Sequence, residues 1–143
     1  MLLKLNLVKH YFPLIAFLFL LSSCARSISF NSSTAVPAAV GEVHIKKDKN
    51  KNYALDIEMK NLAKPESLTP PKPVYVVWME TSSNDIKNIG QLKSTSGLFG
   101  QALKASLKAV TSFEPHRIFI TAEDDPAIQY PGSQEIISTN RID

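Results

Sequence analysis

The sequence predicts an all-β fold, an antiparallel immunoglobulin-like β-sandwich of about seven strands. Three observations predict it. Apolar and polar residues alternate with a period of two after residue 38, two further segments are apolar at nearly every position, and turn-forming residues separate these segments at short intervals. No segment shows a convincing long helical period. The 143 residues suffice for one domain with a hydrophobic core.

The first two strands are predicted to form a hairpin. In residues 53–60 the odd positions are apolar and the even positions are mostly charged, which is typical of a half-buried strand. Val43 and Ile45 alternate with polar neighbours in the same way. The polar run 47–52 between the two segments is expected to be the turn.

Four further segments are predicted strands. Residues 74–79 and 118–122 are apolar on both faces, which indicates central strands covered on both sides. Residues 86–92 are expected to form a strand with a bulge or bend at Gly90, and residues 136–138 a last short strand.

The seventh segment, residues 103–109, also alternates, although alanine, leucine and lysine would allow a helix there. The strict alternation favours a strand. Four prolines between the second and third strands cannot donate to a sheet ladder, so that stretch is predicted to be a long loop: Pro65, Pro70, Pro71 and Pro73.

Residues 1–23 are predicted to be a signal peptide. Lys4 and Lys9 provide a basic start, and an apolar run follows over residues 11–21, interrupted by Pro13. A run of eleven residues suits a signal peptide, whereas a membrane-spanning helix needs about 20.

The apolar run ends in Leu21-Ser22-Ser23-Cys24, an aliphatic residue, two small residues and a cysteine. This motif resembles the lipobox of bacterial lipoproteins. The resemblance implies cleavage before Cys24, transfer of diacylglycerol to its thiol and acylation of the new amino group with a fatty acid such as palmitate. Ordinary secretion with a free thiol and an uncleaved anchor are the alternatives. Ala25 stands where aspartate often retains lipoproteins at the inner membrane. An outer-membrane position facing the periplasm is therefore favoured over the outer leaflet of the inner membrane.

The mature chain is expected to comprise a lipidated flexible tether at residues 24–37 and a sandwich domain at residues 38–143, because the first of these segments is rich in serine, asparagine and alanine. Sixteen basic and thirteen acidic residues give a net charge of +3, which falls to +1 without Lys4 and Lys9. This balance gives no warrant for a nucleic-acid partner. The single cysteine excludes an intrachain disulfide.

Four motifs follow one another in an order that resembles the extracytoplasmic C-terminal domain of anti-sigma-K factors. They are Val74-Tyr75-Val76-Val77-Trp78, Ile89-Gly90-Gln91-Leu92, then Phe113 with Ile118-Phe119-Ile120-Thr121-Ala122-Glu123, and Pro131-Gly132. In that family a Tyr-x-x-Trp strand precedes an Ile/Leu-Gly strand, and a Thr-x-Glu strand precedes a proline-containing loop. The resemblance covers residues 74–139 and implies a β-sandwich with a role on the outer side of the membrane.

The chain also departs from that family. Nothing in these 143 residues matches the family's cytoplasmic sigma-binding region, which often carries a zinc-binding His/Cys cluster, and the lipobox stands in place of its transmembrane helix. After Glu123 the chain reads Asp124-Asp125-Pro126, where the family has a proline followed by glycines. The resemblance therefore implies no sigma-factor inhibition and supplies no catalytic residues.

No arrangement of residues indicates a catalytic site, so we expect neither enzymatic activity nor a cofactor. The mature chain's two histidines, His44 and His116, have no further ligand at a spacing typical of metal sites and are interpreted as solvated. The acidic run Glu123-Asp124-Asp125 could contact Ca²⁺, but three contiguous acids at a strand end cannot all point at one ion. A solvated turn is the favoured interpretation.

Tyr75 and Trp78 are three positions apart, so on a regular strand they face opposite sides. We expect Trp78 to lie in the core and Tyr75 to be the better candidate for an exposed contact with a sugar or peptide. The sequence thus favours a membrane-anchored, non-catalytic envelope lipoprotein that binds a protein partner or senses an envelope signal. A carbohydrate- or Ca²⁺-binding module is the alternative.

Overall fold

The computed structural model describes residues 25–95, 104–132 and 134–142, which form two antiparallel β-sheets packed face to face. Within these ranges, no helix combines the length and the apolar character needed to cross a membrane. A short 3₁₀ turn covers Pro65–Ser67. The strands are β1 Arg26–Ser29, β2 Val40–Lys47, β3 Tyr53–Lys60, β4 Val74–Thr81, β5 Ile86–Gln91, β6 Lys93–Thr95, β7 Lys104–Thr111, β8 Pro115–Glu123 and β9 Glu135–Ser138.

The strand order is that of an immunoglobulin-like sandwich. One sheet has the order β1-β2-β3-β7-β6 and the other β5-β4-β8-β9. With β2 taken as strand A, these are the A-B-E-D and G-F-C-C′ sheets of that fold, with β1 added at one edge. The predicted all-β sandwich is confirmed. The described ranges hold two strands more than the seven predicted, namely β1 and β6.

The predicted hairpin and the seventh strand are both present. Strands β2 and β3 pair in register from Val40↔Lys60 to Lys47↔Tyr53. Strand β7 pairs with β3 over its whole length, so the alternating segment is a strand and not a helix. The alternation works as expected, because every odd residue of β3 is buried against the second sheet and the even residues face outward or are only partly covered.

Strand β4 is covered on both faces, as its sequence predicts. Tyr75, Val77 and Met79 belong to the main core between the sheets. Trp78 lies on the opposite face in a second core, where its ring stacks on Phe119 with centroids 6.3 Å apart.

The β8–β9 loop provides the cover for this second core. Ile128 of the loop packs against it. The side-chain amide of Asn88 on β5 donates hydrogen bonds to the carbonyls of Pro126 (2.9 Å) and Ile128 (2.8 Å). The loop therefore crosses the outer face of the sheet and is tied to its edge strand.

The expected irregularity at Gly90 is also confirmed. Opposite it, the pairing of β4 with β5 shifts register between Val77 and Trp78. Gly90 has a φ of +131°, a backbone conformation that side-chain-bearing residues rarely adopt.

The predicted flexible tether is wrong for residues 26–36. Strand β1 pairs with β2 from Arg26↔Ile45 to Ser29↔Glu42. The chain then bonds to the other sheet, where the Ser33 hydroxyl donates to the Ile136 carbonyl, and Val36 is buried. Unpaired backbone groups at the open edges of β2 and β9 attract this segment, and side-chain composition does not reveal such pairing.

The sandwich has a proximal end and a distal end, defined by the loops and termini that each one carries. The proximal end is where β1 begins, and it also carries the β2–β3, β4–β5 and β7–β8 turns and residues 139–142. The distal end carries the loop 61–73 and the start of the β8–β9 loop. Among the described residues, those of the main core and those packed on it lie between Ile28 and Ile142, so this core comes from the segment after residue 24.

Truncation of Trp78 tests the second core. Trp78 is fully buried, so Trp78→Ala is expected to lower the free energy of unfolding by about 3–5 kcal/mol. Urea denaturation of the variant measures this. Tyr130→Ala, at a side chain that is 76% exposed, is the control and should change stability by no more than about 0.5 kcal/mol. Equal stability of the two variants would contradict the burial described here.

Candidate functional site

Residues from three of the four resemblance motifs meet in one hydrogen-bond chain beneath the β8–β9 loop. Trp78 Nε1 donates to Thr121 Oγ1 at 2.8 Å, and the Thr121 hydroxyl donates to Glu123 Oε1 at 2.5 Å. The backbone N–H of Gly132 donates to the same carboxylate oxygen at 3.2 Å. Thr121 and Glu123 share a face because they are two residues apart on β8. These hydrogen bonds satisfy buried polar groups that would otherwise lack partners and would lower the stability of the fold.

The interpretation of Glu123-Asp124-Asp125 as a solvated turn is wrong for Glu123. Its side chain is buried, because β8 extends to this residue and carries it under the loop. Asp124 is exposed and pairs with Lys72 Nζ, while the Asp125 carboxylate accepts from the backbone N–H of Ala127 at 2.8 Å. The three carboxylates thus engage three different sets of partners and do not converge on one point.

This divergence bears on the Ca²⁺ alternative. Ca²⁺ takes six to eight oxygen ligands around a single centre. Among the described residues, no group of three or more histidine, cysteine, aspartate or glutamate side chains is placed to hold a metal ion.

The expectation that Tyr75 is an exposed contact is wrong. Tyr75 and Trp78 do face opposite sides of β4, but both faces are covered, and Tyr75 is only 5% exposed. Its hydroxyl donates to the Ala63 carbonyl at 2.9 Å. Burial, with a smaller contribution from the charge of Glu66, raises the pKa of Tyr75 to about 12. The ring serves the core and is not a platform for a sugar.

The two histidines lie on different sheets. His44 is on the outer face of β2, with Nε2 3.8 Å from a Glu42 carboxylate oxygen and a side chain that is 41% exposed. His116 is half-buried near the start of β8, and its carbonyl accepts from the Ile142 N–H. The structure therefore does not bring them together.

A groove of about 420 Å³ opens at the proximal end. On one of its walls the Tyr53 hydroxyl donates to Glu114 at 3.0 Å, and Lys47 Nζ lies 4.8 Å from the centroid of the Tyr53 ring. The groove is lined by Arg26, Ile45, Lys47, Tyr53, Ser82, Glu114, Pro115, His116 and Ile142.

A larger cleft of about 480 Å³ lies at the distal end. Its walls come from the segment after β1, from the loop before β4 and from the start of β9. The lining mixes polar and apolar side chains, among them Thr34, Leu68, Thr69, Lys72, Gln134 and Ile136. Sequence reasoning missed this cleft because one wall is the segment that was predicted to be a tether.

The residues of the lipobox, Leu21, Ser22, Ser23 and Cys24, lie outside the described residues. The lipid anchor therefore stays a prediction from sequence. The described chain continues directly from this motif, since Ala25 precedes the first residue of β1.

The fold and the site define an immunoglobulin-like sandwich domain that has a loop-covered apolar outer face, a groove at its proximal end and a cleft at its distal end. Comparison of the chain with models of protein families, with curated proteins and with solved structures finds no match. The resemblance to the anti-sigma-K domain accordingly stays a prediction.

The hydrogen-bond chain can be tested at its middle member. Thr121→Val keeps the side-chain shape but removes both the acceptor for Trp78 and the donor to Glu123. We expect the free energy of unfolding to fall by about 1–3 kcal/mol, which is the cost of leaving a buried polar group without its partner. The loss is larger if the Glu123 carboxylate is charged, because a charged group costs more to leave unpaired. Thr69→Val, at an exposed threonine, is the matched control. Equal urea midpoints for the two variants would show that the chain of bonds adds nothing to stability.

Proposed function

We propose that the protein is a lipoprotein of a bacterial cell envelope, held on a membrane by acyl chains on Cys24, and that its sandwich acts by binding a partner protein and not by catalysis. The Leu21-Ser22-Ser23-Cys24 motif carries the proposal, because it directly follows an apolar run of signal-peptide length. The Ala25 that follows the cysteine favours the outer membrane as the site of attachment.

Several acyl chains on one residue would give a stable anchor. Each buried CH₂ contributes about 0.8 kcal/mol, and one chain alone gives only marginal, reversible binding. The protein would then act at the membrane surface, and the short distance from Cys24 to the first strand would keep the sandwich close to the bilayer.

The distal cleft is the surface that we assign to the partner. Strand β1 begins just after the anchoring residue and runs towards the distal end, so that end would point away from the bilayer. The cleft there combines apolar area from Leu68 and Ile136 with hydrogen-bonding groups from Thr69 and Gln134. Such a mixture suits a protein segment, because protein interfaces pair apolar contacts with dispersed hydrogen bonds.

The alternative of a carbohydrate- or Ca²⁺-binding module has less support. The two rings on which the sequence based stacking on a sugar, Tyr75 and Trp78, are both buried. Binding of Ca²⁺ at the acidic run needs convergent carboxylates, whereas those of Glu123, Asp124 and Asp125 diverge.

Metabolic labelling tests the anchor. The full chain, expressed in a bacterium fed radiolabelled palmitate, should incorporate the label, and Cys24→Ala should incorporate none and accumulate as the uncleaved precursor. Ser23→Ala keeps a small residue in the same motif and is the matched control, expected to be labelled like the wild type. Label in the Cys24→Ala protein, or none in the wild type, would refute lipidation at this residue.

Site-specific photo-cross-linking in intact cells tests the partner surface. A photoreactive residue in place of Thr69, at the distal cleft, should give one reproducible adduct of defined mass. The same residue in place of Ser83, in the proximal β4–β5 turn, should not give that adduct. The assignment fails if the two positions give the same adducts, or if the Thr69 position gives none.

A further inference from the structure

The proximal end is the basic end of the sandwich. The region counted comprises the proximal turns, the two strand residues on each side of them, the first two residues of β1 and residues 139–142. Among its described residues, seven side chains are cationic and four are carboxylates. The same count among the described residues of the distal end gives five cationic and five anionic side chains, so the charges there are balanced. The proximal cations are Arg26, Lys46, Lys47, Lys49, Lys51, Lys87 and Arg141, and the carboxylates are Asp48, Glu80, Asp85 and Glu114.

The lysines at the end of β2 and in the β2–β3 turn are exposed to solvent. Lys46, Lys49 and Lys51 are exposed, and none of them lies within ion-pair distance of a carboxylate in the described part of the chain. Asp48, the one acid of this turn, instead accepts hydrogen bonds from the backbone N–H groups of Asn50 and Asn52, each at 2.8 Å. These bonds, above all the one from Asn52, lower the pKa of Asp48. The carboxylate therefore shapes the turn and leaves the lysines unpaired.

Apolar side chains are exposed beside these cations. Ile86 is 41%, Phe113 48% and Val110 74% exposed, and all three lie in or next to the proximal turns. Lys87 Nζ lies 4.1 Å from the centroid of the Phe113 ring. Lysines together with exposed aromatic and aliphatic side chains are typical of protein surfaces that lie in the headgroup region of a bilayer.

The chain leaves little distance between this end and residue 24. Arg26 pairs with Ile45 at the proximal edge of the sheet, two residues after Cys24. At about 3.3–3.6 Å per residue, two residues span about 7 Å. The headgroup layer on each side of a bilayer is about 5–7 Å thick, and charges act over about 8 Å in physiological salt. A lipid at residue 24 therefore holds the lysines within the field of the headgroups.

We propose that the proximal end of the sandwich is a docking surface for a bilayer that contains anionic phospholipid. The turn lysines bind the phosphate headgroups, and Phe113 and Val110 lie among them. This inference rests on the lipid anchor proposed above for its setting, and it adds an orientation. The domain stands on its proximal end and holds the distal cleft away from the membrane.

Vesicle co-sedimentation tests the surface apart from the anchor. The probe is the chain 24–143 with Cys24→Ser, produced without the signal segment and therefore without acyl chains; the core formed by the described residues lies within residues 28–142. It should sediment with vesicles of phosphatidylcholine plus phosphatidylglycerol and not with phosphatidylcholine alone. Lys46→Gln, Lys49→Gln and Lys51→Gln together should weaken the affinity at least about tenfold.

The matched control removes the same charge from the distal end through Lys60→Gln, Lys64→Gln and Lys104→Gln, all exposed, and should change the affinity less than about twofold. Thermal unfolding of all three proteins verifies that each is folded. No sedimentation with the anionic vesicles, equal sedimentation with phosphatidylcholine alone, or equal weakening by both triple variants would overturn the proposal. Palmitate labelling of the full chain reports on the anchor independently, so failure of one proposal is distinguishable from failure of the other.

Discussion

Strand β4 is apolar on both faces, and much of the structure follows from the need to cover both. The first sheet covers one face, as in any sandwich of this kind. The other face would be open to water, and the β8–β9 loop crosses it and is held at the far edge by Asn88. Because the Trp78 indole N–H is buried with that face, it needs a buried hydrogen-bond acceptor. The Thr121 hydroxyl accepts from it, and that hydroxyl donates in turn to the Glu123 carboxylate. The loop thereby covers the apolar part of this outer face, around Trp78 and Phe119.

The part of the fold that the sequence predicts is the part in which side-chain burial alternates or is continuous. The alternation in β3 and β7 and the continuous apolar runs of β4 and β8 report directly on which faces are covered. Strand β1 left no such signal, because Arg26–Ser29 pairs through its backbone and is largely exposed. The burial of Glu123 and Tyr75 was missed for a related reason. It depends on the path of loops over a face, which periodicity within one strand does not encode.

The sequence likewise predicts only part of the candidate site. Trp78, Thr121 and Glu123 stand out in the sequence as members of motifs, but their joint role in one hydrogen-bond chain requires β4 and β8 to be neighbours. The clefts could not be predicted, since the lining of the proximal groove ranges from Arg26 to Ile142 along the chain. The basic end was hidden because its cations are distant in sequence and the net charge of residues 24–143 is only +1. Folding gathers those charges at one end, whereas the total charge averages over both.

The path of β1 has a mechanical consequence. Traction at residue 24, directed away from the sandwich, runs along the axis of β1. Its hydrogen bonds to β2 lie across that axis and are therefore stretched together in shear, not opened one after another. The next residues continue the same line on the second sheet, where Asn31 N–H bonds to the Ser138 carbonyl at 2.8 Å and the Ser33 hydroxyl to that of Ile136. Tension entering at the N-terminal strand is thus shared between both sheets.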